Sequence, residues 1–139
     1  MNQPTLKRLV RIAAITLFVY VGLVVTFEVV FGFLQPENPA TLVLTTFEAD
    51  GTPHDRVLER YETDGKLYVS ASHWPRAWYR RALTNPEVQV TLNGATEDYL
   101  GIPVSGEEHE RVVAEHPPFF VFRLLTGFPP RRVVRLDSR

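Results

Sequence analysis

Residues 67–90 read LYVSASHWPRAWYRRALTNPEVQV, a segment that predicts a strand, a short loop, an amphipathic helix and a second strand. Apolar residues alternate with polar or aromatic ones over residues 67–72, the period-two pattern of a strand with two unlike faces. Pro75 suits a first helical position, because its missing N–H costs nothing there. Asn85-Pro86 ends the helix, because the residue before a proline is pushed out of the α region. Cations and large aromatic rings therefore collect where a strand passes into a helix, a suitable place for a flat anionic ligand.

This segment resembles the deazaflavin-dependent nitroreductase family, whose members share a split β-barrel with flavin-binding oxidases. The family pattern includes Trp-Tyr followed by Asn-Pro-x-Val-x-Val. The matching residues in this chain are Ser72, Trp78, Tyr79, Leu83, Asn85, Pro86, Val88 and Val90. The similarity extends over about residues 42–136. It implies a mainly β fold with short helices (α+β), a split β-barrel over residues 41–139.

The chain departs from the family pattern at the first turn. The family usually has Gly-Arg-Lys-Ser-Gly there, which holds the phosphate of the coenzyme, whereas this chain has Phe47-Glu-Ala-Asp-Gly51. Because acidic side chains repel a phosphate, the phosphate would be held elsewhere or weakly. Arg81 replaces a family asparagine and restores one cation.

The resemblance implies an oxidoreductase that passes hydride from a reduced 8-hydroxy-5-deazaflavin coenzyme, or from FMN, to a quinone-like or nitroaromatic acceptor. The cofactor carries such chemistry, while the protein supplies orientation and charge. The predicted cofactor-binding residues are Ser72, Arg76, Trp78, Tyr79, Arg81, His54 and Arg56. Positions that line the substrate side in the family fall on Phe119 and Phe122, which can stack but cannot donate a proton.

Each candidate also has a plainer interpretation. Trp78 is as well explained as a core anchor, and the arginines of the helix as a solvated face. Ser72 can cap the turn that follows it, and His54 suits a turn. Phe119 and Phe122 suit a core or a membrane-facing surface.

Composition excludes several classes of function. The 139 residues contain 15 basic and 16 acidic side chains, a net charge of −1, which argues against a nucleic-acid partner. The absence of cysteine excludes disulfides and thiolate chemistry. The four histidines lack the spacing of a zinc site, so no metal is expected. No sequence motif for a nucleophile elbow, a P-loop or a dinucleotide fold is present, and no catalytic side chain is assigned.

The N-terminal region is a second signal. Residues 12–34 contain one charged residue, Glu28, and 23 residues as a helix extend about 35 Å, enough to cross a hydrocarbon core of about 30 Å. We therefore expect a basic tail over residues 1–11, a transmembrane helix over 12–34, a Pro-containing linker over 35–40 and the barrel after it. The alternatives are a helix packed on the barrel and a cleaved signal peptide, for which the apolar run is too long.

The side of the membrane is predicted by two arguments that disagree. Lys7, Arg8 and Arg11 precede the helix, so the positive-inside rule places the N-terminus in the cytoplasm and the barrel outside. Reduced deazaflavin or flavin is expected in the cytoplasm, which would place the barrel inside.

Strand and turn signals predict the rest of the barrel. Strands are expected over residues 41–48, 56–62, 67–72, 87–92, 95–104 and 132–136. Asp64-Gly65 and Asn93-Gly94 predict hairpin turns. Ser105 and Glu108 have the spacing of a capping box at the start of a helix that continues to about residue 115. Residues 119–125 are expected to form a short apolar helix or strand.

Two other functions remain open at this stage. One is a non-catalytic membrane-anchored barrel that binds flavin or haem, with His73 as the best axial ligand. The other is a membrane-anchored interaction domain without a small ligand. The resemblance also implies a possible homodimer, since split-barrel relatives often dimerise across the cofactor site.

Overall fold

The computed structural model describes residues 3–34, 37–72 and 76–139. It contains two compact units, one formed by Met1–Leu34 with Phe119–Pro129 and the other by Gln35–Pro118 with Pro130–Arg139. The helices are α1 (Gln3–Phe33), α2 (Ala77–Thr84), α3 (Gly106–Glu115) and α4 (Phe120–Leu125). The strands are β1 (Thr41–Phe47), β2 (Pro53–Thr63), β3 (Lys66–Ala71), β4 (Glu87–Leu92), β5 (Ala95–Pro103) and β6 (Arg132–Ser138).

The first unit consists of α1 and the short helix α4. Helix α1 begins at Gln3 rather than after the basic residues, because apolar residues such as Leu6 and Leu9 continue among them and Lys and Arg favour helix. Its segment Leu6–Val30 is long and apolar enough to cross a membrane by length and composition, and none of its most apolar part is buried. The phenol of Tyr20 donates a 2.8 Å hydrogen bond to the carbonyl oxygen of Leu124, which ties α4 to α1.

The second unit is a closed antiparallel barrel with the strand order β1-β2-β3-β6-β5-β4, and β4 pairs with β1 to close it. The predicted fold class, a mainly β split barrel with short helices, is confirmed. Alternating apolar side chains of the strands fill the barrel, and α2 adds Trp78 and Ala82 to the same core. The fully enclosed strand residues of this core are Leu42, Leu44, Leu58, Val69, Ala71, Val88, Val90, Val134 and Leu136.

Both predicted hairpins are confirmed by their backbone. Asp64 and Gly65 have φ of 52° and 70°, and Asn93 and Gly94 have φ of 52° and 81°. Two consecutive positive φ values are the requirement of the type I′ turn, whose twist matches that of the flanking strands. The turns fix the registers of β2 with β3 and of β4 with β5.

Helix α3 begins where the sequence predicts, but the predicted capping box is wrong. Ser105 has the extended backbone of an N-cap and makes no side-chain capping hydrogen bond. Glu108, the expected partner in the box, instead accepts hydrogen bonds from Tyr68 at 2.8 Å and from Arg135 at 2.9 Å. The Glu108 carboxylate therefore binds a buried tyrosine and an arginine of the barrel wall instead of capping its own helix.

Candidate functional site

An open cleft of about 470 Å³ lies between the β1–β2 turn and helix α2 of the barrel unit. This volume falls within the range of small-molecule sites. The turn and the helix supply three apolar and five polar or charged lining residues, which are Phe47, Glu48, Ala49, Ala77, Arg80, Arg81, Thr84 and Asn85.

Helix α2 presents two unlike faces, and helical spacing explains them. Ala77, Arg80, Arg81 and Thr84 follow the i, i+3, i+4, i+7 pattern of one face, and all four line the cleft. Trp78, about 100° around the helix from Ala77, lies on a separate face that is buried in the barrel core. The same short helix therefore anchors itself through an indole and presents two guanidinium groups to the cleft.

Arg81 is held in place by the barrel wall. Its Nε donates a 2.9 Å hydrogen bond to the hydroxyl oxygen of Thr46, a fully buried residue of β1. The Thr46 hydroxyl in turn donates to the carbonyl oxygen of His54 at 3.4 Å. This chain of hydrogen bonds orients a partly buried cation toward the cleft before any ligand binds. Arg80 beside it is exposed.

The opposite side of the cleft carries an acidic group. The Oε1 atom of Glu48 lies 2.9 Å from Nε2 of His54, which pairs across the β1–β2 ladder with Thr46. Asp50, further along the turn, accepts a 2.9 Å hydrogen bond from the backbone N–H of Thr52, and this bond lowers the pKa of the Asp50 carboxyl. The structure therefore places the acid Glu48 on the cleft wall, at the turn where the resemblance leads one to expect cations.

The structure brings one of the seven predicted cofactor-binding residues, Arg81, into this cleft. His54 contacts Glu48 through its Nε2 atom and does not line the cleft. Arg56 is half-buried and pairs with Leu44 in the β1–β2 ladder. Ser72 shares a 3.0 Å hydrogen bond with Ser70, and Arg76 donates a 2.9 Å hydrogen bond to the carbonyl oxygen of Pro130. The roles of these residues in cofactor binding stay predictions.

Trp78 and Tyr79 form an edge-to-face pair with ring centroids 5.9 Å apart. Trp78 is 5% exposed within the core, the placement of a structural anchor, while Tyr79 is half-buried at the edge of the same core. A stacking role for either ring stays a prediction.

The two predicted substrate-side residues belong to the first unit. Phe119 is 87% exposed, and Phe122 packs edge to face on Phe27 of α1 with centroids 6.1 Å apart. Their predicted role toward an acceptor is not tested by this arrangement.

Sequence reasoning missed Arg80, Thr84 and Asn85 as parts of the cleft. Helical spacing carried part of the signal, because Thr84 and Asn85 lie three and four residues after Arg81. It does not single out Arg80, and it would also include the core residue Trp78. Glu48, one of the acids at which the chain departs from the family pattern, lies on the cleft wall.

A second polar cluster lies between α3 and the barrel wall. Arg135 forms paired hydrogen bonds to Asp137 and also to Glu108, and Glu108 accepts the phenol of buried Tyr68. Burial and the bond to Glu108 raise the pKa of Tyr68 to about 12, and the bond from Arg135 lowers the pKa of Glu108. Every charge in this cluster has a partner of opposite sign, so we interpret it as structural.

Among residues 3–34, 37–72 and 76–139, no group of three or more His, Cys, Asp or Glu side chains is placed to hold a metal ion. His73, the predicted axial ligand of the haem alternative, and Pro75, the predicted first helical residue, lie outside the described residues, as does Trp74.

The barrel unit is thus a closed six-stranded antiparallel barrel in which α2 places two arginines beside the first turn. Residues 21–118 match the sequence model of the F420H(2)-dependent quinone reductases, more than two thirds of the chain. The chain belongs to the F420H(2)-dependent quinone reductase family. The predicted deazaflavin-dependent reductase class and its deazaflavin cofactor are therefore confirmed at the level of the family.

Solved structures agree on the fold. HutZ, the haem storage protein from Vibrio cholerae, is 22% identical over 73% of this chain and 83% of its own, with a TM-score of 0.57. An F420-H2 dependent reductase, FDR-A, is 21% identical over 75% of this chain and 99% of its own, with a TM-score of 0.55. A structure described as a domain-swapped dimer is 24% identical over 75% of this chain and 84% of its own, with a TM-score of 0.59. No curated protein matches the chain.

The cleft residues fit one part of an anionic deazaflavin. Two guanidinium groups offer charge-assisted donors, and Arg81 is already oriented by Thr46. Phe47, Ala49 and Ala77 add apolar wall. On the turn side of the cleft, the Glu48 carboxylate would repel an anionic group of the cofactor. Only the α2 side of the cleft is therefore suited to binding an anionic group.

Proposed function

We propose that this protein is a membrane-anchored quinone reductase that binds the reduced deazaflavin F420H2 at the cleft between the β1–β2 turn and α2. The observation that carries the proposal is the pair Arg80 and Arg81 on the cleft face of α2, with Arg81 hydrogen-bonded to buried Thr46. Membership of the family supplies the cofactor class, and the cleft supplies a place where its anionic groups would bind.

Each cleft residue has a physical role in this proposal. Arg81 binds an anionic oxygen of the cofactor through a charge-assisted hydrogen bond, which is about twice as strong as a neutral one. Arg80 adds a second, more solvated cation. Phe47, Ala49 and Ala77 exclude water from one side of the bound cofactor. When bound, the deazaflavin supplies the hydride, and the chain itself holds and orients it.

The acidic turn is part of the same proposal. Where the resemblance leads one to expect cations, Glu48 lines the cleft and pairs with His54. The anionic part of the cofactor therefore binds on the α2 side of the cleft, away from Glu48. This chain would consequently hold the coenzyme more weakly, and in a shifted position, compared with relatives that keep a basic turn.

The anchoring part of the proposal rests on α1. Its segment Leu6–Val30 is long and apolar enough to span a membrane. The most apolar part of this segment is not buried, whereas the core helix of a soluble protein would be mostly buried. A membrane anchor favours a lipid-soluble acceptor, and a quinone fits that requirement better than a polar nitroaromatic. We propose a quinone as the acceptor on this ground and on the family's.

The test is a titration of the full-length protein in detergent micelles with F420, followed by the fluorescence of the deazaflavin. Removing a charged hydrogen-bond donor costs about 1.5–3 kcal/mol, so Arg81→Ala should weaken binding by at least about tenfold. Arg111→Ala is the matched control, because Arg111 is a half-exposed arginine of α3 paired with Asp64 at 3.4 Å and does not line the cleft.

Failure of the unmodified protein to bind F420, or binding by Arg81→Ala equal to that by Arg111→Ala, contradicts the proposed site. Oxidation of F420H2 by a quinone analogue in the presence of the protein then tests turnover. Titrations with haem and with FMN test the two alternative ligands, and a titration without ligand is the control. His73, the predicted axial ligand of the haem alternative, lies outside the described residues. The homodimer stays a prediction that light scattering of the same sample measures.

A further inference from the structure

We propose that the α4 segment, Phe119–Pro129, is a second membrane-embedded element, and that its aromatic outer face contacts lipid acyl chains beside α1. This inference rests on the anchoring part of the proposed function, because it takes α1 as a membrane span. It assigns a partner, the hydrocarbon of one leaflet, to a surface that the matched family region, residues 21–118, does not include.

The depth of α4 follows from the residues of α1 that it contacts. Tyr20 hydrogen-bonds to Leu124, Phe27 packs on Phe122, and a Cβ added to Gly127 would meet Val24 at 3.4 Å. All three α1 residues lie inside the apolar segment Leu6–Val30. Val24 is six residues before Val30, which corresponds to about 9 Å along the helix.

Half of the hydrocarbon core is about 15 Å thick. If α1 spans the membrane, its contacts with α4 therefore lie within the leaflet nearest the end of the span at Val30, and not at the water boundary. Gly127 lies beside Val24 and has a φ of 73°, a backbone conformation that favours glycine.

The outer face of the segment is apolar and uncovered. Phe119, Phe120, Val121, Leu124 and Phe128 are all exposed large hydrophobic residues. Exposed apolar surface in water costs about 25 cal/mol per Å², and contiguous patches of it mark contact with a partner or a membrane. Because the face is continuous with the apolar surface of α1 through the contacts above, the occupant that fits both is lipid.

A hydrocarbon environment requires that backbone polar groups be satisfied internally, and the C-terminal part of the segment has such hydrogen bonds. The amides of Arg123, Thr126, Gly127 and Phe128 all donate to carbonyl oxygens of the segment itself. The Thr126 hydroxyl donates to the carbonyl oxygen of Phe122 at 2.9 Å, and the Tyr20 phenol donates to that of Leu124.

The single charge of the segment is compatible with this placement. Arg123 lies with its guanidinium 5.4 Å from the ring centroid of Phe128, a cation–π contact. Long basic side chains near a membrane boundary extend their charged ends toward the headgroups while their stems stay in the apolar region. Pro117-Pro118 precede the segment and Pro129-Pro130 follow α4, so helix-breaking residues limit the short helix on both sides.

The test uses single cysteines, because the native chain has none. Phe120→Cys on α4, Val25→Cys on α1 and Leu83→Cys on α2 are each labelled with the polarity-sensitive fluorophore NBD. Val25 and Leu83 are matched in exposure, at 57% and 52%. The labelled full-length proteins are reconstituted into phosphatidylcholine vesicles that carry a nitroxide either on the acyl chain or on the headgroup. Val121→Cys repeats the α4 measurement at a second position.

We expect acyl-chain nitroxide to quench the labels at positions 120 and 25 to the same extent and to leave the label at position 83 unquenched. If the label at position 25 is quenched while the labels at positions 120, 121 and 83 are not, the inference is wrong and the anchor is retained. Absence of quenching at both 25 and 120 overturns the anchor and the inference together. If the label at position 120 is quenched only after the protein is diluted in lipid, a second copy of the chain covers this face at higher protein density. This outcome also overturns the inference.

Discussion

The Nε atom of Arg81 donates a 2.9 Å hydrogen bond to the buried hydroxyl of Thr46, and this bond joins helix α2 to the first strand of the barrel at the wall of the cleft. A guanidinium that is oriented before binding loses less conformational freedom when a ligand arrives. The orientation of this cation therefore depends on a contact between two residues that are 35 positions apart in sequence.

The first prediction concerns this bond. Thr46→Val removes the acceptor for Arg81 while keeping a β-branched side chain of similar size in the barrel wall. We expect F420 binding to weaken several-fold, because the guanidinium is no longer oriented, with a loss of about 1–2 kcal/mol. Thr46→Ser keeps the hydroxyl and should bind like the native protein. Equal affinities of the Val and Ser variants in the fluorescence titration, with both folded by circular dichroism, would contradict the role of the bond.

The second prediction concerns the acidic side of the cleft. Glu48→Lys replaces a repulsive carboxylate with a cation at the turn, where the resemblance leads one to expect one. We expect F420 affinity to increase by roughly tenfold at low ionic strength, since two charges at contact distance interact by about 1 kcal/mol or more, and the gain should shrink as salt is added. Glu97→Lys on β5 makes the same charge change at an exposed position outside the cleft lining. If Glu97→Lys tightens binding equally, the effect is one of net charge and not of the site.

The third prediction separates the two interpretations of Trp78. A buried indole replaced by alanine leaves a cavity, and Trp78→Ala should lower the free energy of unfolding by about 3–5 kcal/mol. Trp78→Phe should lower it less, and both are measured by urea unfolding of the detergent-solubilised protein. If Trp78→Phe leaves the free energy of unfolding unchanged but reduces F420 affinity, the indole contacts the cofactor and the anchor interpretation is wrong.

The fourth prediction is a pH dependence of stability. The hydrogen bond from Arg135 lowers the pKa of Glu108 in the folded protein below its ordinary value of 4.5. A carboxylate with a lowered folded pKa stabilises the fold above its unfolded pKa, and this contribution is lost as the pH falls through the folded value. Stability should therefore decrease below about pH 4.5, and Glu108→Gln should decrease less steeply over that range. Unfolding midpoints measured from pH 3 to pH 7 check this, with Glu97→Gln as the control; parallel curves for native protein and Glu108→Gln would exclude a contribution from Glu108.

The fifth prediction addresses the side of the membrane. The basic residues before the span place the barrel outside the cytoplasm, whereas the cofactor argument places it inside. In intact cells, a membrane-impermeant maleimide should label Glu97→Cys on the barrel if the basic residues determine the orientation. Labelling only after lysis would instead favour the cytoplasmic barrel that the cofactor requires, and a cysteine introduced at Val25 in the span should resist labelling in both cases.

The strand order of the barrel's hairpins and the position of α2 could be predicted from local sequence. Asp64-Gly65 and Asn93-Gly94 specify type I′ turns through the backbone itself, and Asn85-Pro86 ends a helix for steric reasons that need no tertiary context. The apolar span of α1 is equally local, because its length and composition are properties of consecutive residues. The family resemblance of residues 67–90 rested on the same local signals and was confirmed.

The cleft itself could not be predicted with the same success. Ser72, Arg76 and Arg81 looked equivalent in sequence, yet Arg81 lines the cleft while Arg76 is bound to the carbonyl oxygen of Pro130. The prediction of a capping box was wrong for a similar reason, because the fold brings Tyr68 and Arg135 within hydrogen-bond distance of Glu108.

Turns, helix limits and apolar periodicity follow from steric and solvation preferences of neighbouring residues, so this chain's barrel and its apolar helix are readable from the order of its amino acids. The partner of a long polar side chain depends on which distant groups the fold brings within 3 Å. For that reason the orientation of Arg81 by Thr46, the capture of Glu108 by the barrel wall and the packing of α4 on α1 became apparent only in three dimensions.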